Sequence, residues 1–115
     1  MGTWNWGPFD NDVAEDTVRR LADGSFRMDQ FRFDCSDAHL DTEQVQALIA
    51  LAAVMNGHGP AGSVPLAPRL SFEDRRWVEA KLREAMSPEG SELYGMWSDA
   101  GELHQWLEAT AKAVH

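Results

Sequence analysis

Apolar residues recur at helical spacing along most of the chain. Val13, Ala14, Thr17, Val18 and Leu21 fall on one stripe of 3.6-residue period, which predicts a first amphipathic helix. Asp12 and Glu15 stand at capping-box spacing ahead of it, with Asp10 and Asn11 as alternative caps. Acids gather at its start (Asp12, Glu15, Asp16) and bases near its end (Arg19, Arg20), as the helix dipole favours. Asp23-Gly24 supplies the stop, with glycine free to take the left-handed conformation. The strongest pattern lies over residues 42–56. Asp41 and Gln44 form a capping box, and Val45, Leu48, Ile49, Leu51, Ala52, Val54 and Met55 make the following helix apolar nearly all round. Such a helix must be covered on several sides, so it is predicted to be the centre of the fold. Asn56-Gly57 ends it.

Ser71, with Asp74 at the reciprocal position, opens the next helix, whose buried stripe is Trp77, Val78, Leu82, Ala85 and Met86. Ser87-Pro88-Glu89 reads as an N-cap followed by a first-turn proline, predicting a short helix that carries Leu93, Tyr94, Met96 and Trp97. Asp99 and Glu102 are the expected caps of a last helix, with Leu103, Trp106, Leu107, Thr110 and Val114 on its inner face. Residues 57–70 are rich in Gly and Pro and read as a long loop. Two stretches resist the helical template. At the start, Trp4, Trp6 and Phe9 are broken by Gly7-Pro8, which predicts an extended aromatic segment laid across the helices. Phe26, Met28, Phe31 and Phe33 alternate with polar residues, so a minor extended pair within 25–33, or an irregular connector, is expected there. The fold reading is therefore mainly α: a single domain over residues 1–115, with four to five helices around helix 42–56.

The opening Met1-Gly2-Thr3-Trp4, followed by Gly7-Pro8-Phe9-Asp10-Asn11-Asp12, is idiosyncratic. It resembles the start of the small bacterial family catalogued as domain of unknown function 4259. The Ala-rich helix 42–55 with its Gly/Pro loop, Ser91-Glu92-Leu93 leading to Trp97, and Trp106 in the terminal helix also look like that family. The chain departs from its pattern at Trp6 and in the aromatic segment 24–40. The resemblance implies a small helical domain over essentially the whole chain, and it brings no catalytic residues.

Composition narrows the function classes. Lys and Arg number 10 against 19 Asp and Glu, a net charge of −9, which argues against nucleic acid and against a polybasic membrane-surface segment. The longest apolar run, Ala47 to Met55, is too short to span a bilayer. The start has neither the basic and apolar regions of a secretory signal nor the Ser or Thr at position six that myristoylation wants, so a cytoplasmic location is expected. A single cysteine, Cys35, leaves no intrachain disulfide and suits a reducing compartment.

Candidate chemistry is sparse. Asp10, Asp12 and Asp16 place several carboxylates close together, the only cluster that a small metal-dependent hydrolase could use. They lack the spacing and glycine of a calcium loop, and helix capping accounts for them more simply. Cys35 with Asp37 and His39, and His58 further on, falls short of a zinc set. Cys35 is expected to be a structural thiol. Gly57-His58-Gly59-Pro60-Ala61-Gly62 lacks the Lys and Ser/Thr of a phosphate loop. No catalytic residue, cofactor or bound metal is therefore assigned. The reading that remains is a non-enzymatic protein-interaction module, in concrete form an acidic immunity-type antagonist of a basic protein. Its partner-binding residues would be Trp4, Trp6, Phe9, Asp10 and Asp12, since an exposed Trp beside acids suits a hot spot. The chain would act as a monomer, or as a homodimer burying part of the 42–56 helix.

Overall fold

The structure is a computed structural model that describes residues 11–36, 39–57, 70–87 and 90–114. The expected extended segment carrying Trp4, Trp6, Phe9 and Asp10 lies outside those residues, as does the Gly/Pro loop 58–69. Among the described residues six helices run in chain order: α1 Asp12–Asp23, α2 Met28–Asp34, α3 Thr42–Met55, α4 Phe72–Ala85, α5 Glu92–Asp99 and α6 Leu103–Val114. The described residues contain no strand; an isolated parallel bridge joins Leu40 and Ser91. The fold is all-α.

α3 is the hub, packed against α1, α4, α5 and α6. Val45 and Leu48 to Val54 are all buried, as the all-round apolar pattern requires. Each Leu, Ile or Val buried there contributes about 1.5–3 kcal/mol by leaving water. The capping box is formed in both directions: Asp41 Oδ1 accepts from the Gln44 N–H at 2.8 Å, and Gln44 Oε1 accepts from the Asp41 N–H at 2.9 Å. Around α3 the core is completed by Val78, Leu82 and Ala85 of α4, Leu93 and Trp97 of α5, and Trp106 of α6.

Three local expectations are corrected, and the choice among the caps offered for α1 is decided. The extended pair within 25–33 is instead helix α2. Its inward residues, Met28 and Phe31, are three apart, which a helix brings onto one side. Phe31 packs on the core while Phe33 is exposed, so the alternation that suggested a strand was not a shared face. This extra helix takes the count past the expected four to five. At the start of α1 the cap is Asn11, whose Oδ1 accepts from the Ala14 N–H at 2.7 Å; Asp12 is the first helical residue. α5 starts after Ser91, whose Oγ accepts from the Tyr94 N–H at 3.2 Å, and not at Ser87-Pro88. Asp99 ends α5 and does not cap α6; the Glu102 carbonyl accepts the first α6 bond, from the Trp106 N–H at 3.2 Å.

The starts of α3 and α5 lie side by side. The Leu40 N–H donates to Gly90 O at 3.3 Å, and the Glu92 N–H donates to Leu40 O at 3.0 Å. Ser91 Oγ also donates to Ala85 O at 2.9 Å, joining the end of α4 to the same knot. Gly90 is required at this junction, because a Cβ there would overlap the Glu84 carbonyl oxygen.

Candidate functional site

α2 is clamped to the first half of α4. Phe31 meets Trp77 edge-on, with ring centroids 5.9 Å apart, and Phe26 lies 5.5 Å from Phe31. Arg32 Nη1 donates to Asp74 Oδ1 at 3.0 Å, and its guanidinium sits 5.6 Å from the centre of the Trp77 ring. The same arginine thus pairs with a carboxylate and stacks on an indole, a combination that lysine does not reproduce. Asp74 is consequently spent on Arg32, while Ser71 alone caps α4, its Oγ accepting from the Asp74 N–H at 3.0 Å.

This clamp fixes two phenylalanines that the core does not use. Phe33, on the outer side of α2, is 75% exposed, and Phe72, the first residue of α4, is 73% exposed. Arg76 lies 5.7 Å from the Phe72 ring centre and covers part of it. Isolated surface phenylalanines need no explanation; these two stand on helices that the clamp ties together. Asp29, Asp34 and Glu73 stand beside them on the same two helices and are exposed. Gln44 Nε2 donates to the Asp34 carbonyl oxygen at 2.7 Å, which ties the end of α2 to the start of α3. Asp41 and Glu43 are exposed at the start of α3, and Glu92 is exposed at the start of α5 across the Leu40–Ser91 bridge.

The two helices carry charges of both signs, with Arg75 and Arg76 exposed next to Phe72 and outside any ion pair among the described residues. Arg19, Arg20, Arg27, Arg32, Lys81 and Lys112 are each within ion-pair distance of an acid. Among the described residues no cation stands within that distance of Asp34, Glu43, Glu73 or Glu92. Pairing cancels much of the basic charge locally and leaves the acidic surplus facing solvent.

The residues singled out by sequence fare unequally. Asp12 is exposed at the start of α1, and Asp16 is taken up by Arg19 and by Arg20, the latter at 3.1 Å. Trp4, Trp6, Phe9 and Asp10 lie outside the described residues. No group of three or more His, Cys, Asp or Glu among the described residues is placed to hold a metal ion. Cys35 is fully buried, and burial pushes its thiol from 9.0 up to about 11, against a smaller opposing pull from nearby Lys81. It is a packed thiol and not an activated nucleophile. Exposed Phe33 was missed as a site residue because it lies in an alternating apolar run, and Phe72, at the head of its helix, carries no signal in the spacing.

The fold defines a small all-α domain: a central apolar helix, α3, packed against α1, α4, α5 and α6, with α2 held on α4. The chain belongs to the family described as Domain of unknown function (DUF4259), whose model matches residues 2–109. No curated protein and no solved structure gives a significant match. No helix among the described residues is long and apolar enough to cross a membrane.

Proposed function

We propose that the protein is a non-catalytic binding module for a basic protein partner, which docks on the edge formed by α2 and the start of α4. One observation carries the reading: Phe33 and Phe72 are about three-quarters exposed on two helices that the Arg32–Asp74 ion pair holds together. Aromatic side chains on a preformed surface lose little freedom on binding and supply most of the energy of an interface. Asp34 and Glu73 on the same two helices, and the net charge of −9, suit a basic partner and would favour its approach. A concrete form is an antagonist that covers the basic surface of another protein, as immunity proteins do for nuclease toxins.

The test is capture of partners from native lysate with the full chain, at low and at high salt. Wild-type protein and a Phe33→Ser/Phe72→Ser double variant are compared after circular dichroism has shown equal helicity. A basic protein retained by wild type, released by salt and lost from the variant is the expected result. Retention of the same proteins by the variant would refute docking at this edge, and a salt-insensitive complex would refute electrostatic steering.

A further inference from the structure

α2 is held differently from the other helices. Among the described residues it is the shortest, at seven residues, and none of them is buried. Every other helix buries at least two side chains, down to Ala14 and Thr17 on α1, Leu93 and Trp97 on α5, and Trp106 and Thr110 on α6. α1, α3, α4 and α5 open on side-chain caps from Asn11, Asp41, Ser71 and Ser91, whereas Arg27 at the head of α2 supplies none. α2 also joins none of the close helix pairs, which are those of α3 with α1, α4, α5 and α6 and of α5 with α6. A helix this short has little stability of its own in water, so side-chain contacts keep it folded.

Those contacts are few. Phe31 meets Trp77 and Phe26, Met28 rests against the core, and Arg32 pairs with Asp74 beside the Trp77 ring. The Arg32 and Asp74 side chains remain 41% and 22% exposed, so solvent weakens their pair. The chain is fixed firmly just outside α2 at both ends. On one side the Ser25 and Phe26 N–H groups donate to Arg20 O at 3.0 and 3.2 Å, where left-handed Gly24 closes α1. On the other, Cys35 is fully buried in the core. The buried cluster around α3 has no member between residues 28 and 34, so it is complete without α2.

We infer that α2 is a hinged flap: it opens as a unit between Phe26 and Cys35 while the helices packed around α3 stay folded. Closing covers Trp77 with Phe31 and Arg32. Opening returns that indole to solvent and carries Phe33 away from α4, where Phe72 remains. The Arg32–Asp74 pair is the latch, so its loss shifts the opening of α2 and leaves the core as it was. The inference goes beyond the docking reading and does not depend on it, because the flap opens in the free chain.

The experiment is native-state amide hydrogen exchange on the full chain, followed by NMR at rising sub-denaturing urea. The amides of Phe31, Arg32 and Phe33 are expected to exchange at least about a hundredfold faster than those of Leu48 and Leu51 in α3, with little dependence on urea. Arg32→Gln should quicken the α2 amides about fivefold, as one partly exposed ion pair and one cation–π contact support, and the α3 amides by less than about twofold. Asp74→Asn should act in the same direction, since α4 keeps its cap through the Asp74 backbone N–H. Exchange of α2 and α3 amides in step, with one urea dependence, would overturn the inference. So would an α2 without protection even in the absence of urea, or an Arg32→Gln variant that accelerates both helices equally or neither.

Discussion

Two glycine-to-alanine substitutions a few residues apart should move stability in opposite directions. At Gly90 an added Cβ would overlap the Glu84 carbonyl oxygen and come within 2.9 Å of Ser87 Oγ. Neither obstacle is easily relieved, because Glu84 O belongs to the helix backbone and Ser87 Oγ already bonds to it at 2.6 Å. Relief requires the end of α4 to separate from the start of α5. That strains the Leu40–Gly90 bond at 3.3 Å, the Glu92–Leu40 bond at 3.0 Å and the Ser91–Ala85 bond at 2.9 Å. Overpacking costs about 1–3 kcal/mol, and each hydrogen bond lost adds about 1 kcal/mol. A loss of about 2–4 kcal/mol is expected for Gly90→Ala, a large part of the roughly 5–15 kcal/mol that holds a small domain together. Gly95, inside α5, has no atom within 4 Å of the place where its Cβ would stand. Gly95→Ala should therefore stabilise by about 0.5–1 kcal/mol, through helix propensity alone. Urea unfolding followed by tryptophan fluorescence reads both. With a slope of about 1–3 kcal/mol/M, the midpoint should fall by about 1–2 M for Gly90→Ala and rise slightly for Gly95→Ala. A Gly90→Ala midpoint within experimental error of wild type would refute the packing argument.

Four further outcomes follow from three individual groups. Burial holds the Cys35 thiol protonated to about pH 11, so iodoacetamide should leave the native protein unmodified at pH 8 and label it fully in urea; rapid native labelling would contradict its burial. Because that folded value lies above the ordinary 9.0, the linked stability is intact below pH 9 and is lost as the pH rises toward 11; Cys35→Ala should flatten this part of a pH–stability curve. Thr110→Val replaces a buried hydroxyl that has no partner with a methyl of similar shape, and should raise the melting temperature by about 4 °C, for a gain of about 1 kcal/mol; a lower melting temperature would mean that the hydroxyl is satisfied. Asp41→Ala removes one half of the α3 capping box and should cost about 1 kcal/mol in chemical denaturation, an effect that Asp41→Asn should largely spare.

Much of the architecture was legible because its signals are local. The α3 capping box involves residues three apart, and the ring of apolar positions around that helix leaves no face for solvent. Ser71 could be placed at the head of α4 for the same reason. α2 was not legible. Its seven residues are too few to separate a helical period from alternation, and the choice depends on which phenylalanine Trp77 receives. Ser91 caps where Ser87 was expected, and of Asp10, Asn11 and Asp12 it is Asn11 that caps α1, because several residues near each helix start can serve. The exposed edge was also hidden: Phe33 and Phe31 are equivalent in the sequence, and only the contact of Phe31 with Trp77 and Phe26 makes Phe33 the outer one.

The sequence by itself determined a helical chain with an apolar central helix, its main caps, and a surplus of acid. Those properties depend on residue type and on spacings of a few positions. Tertiary structure decided which aromatics face solvent, which acids keep their charge unpaired, how deeply Cys35 is buried, and that α2 is held on α4. Each of these depends on partners far apart in the chain, as Arg32 and Asp74 are, and such partners are chosen by packing the helices together and not by any local pattern.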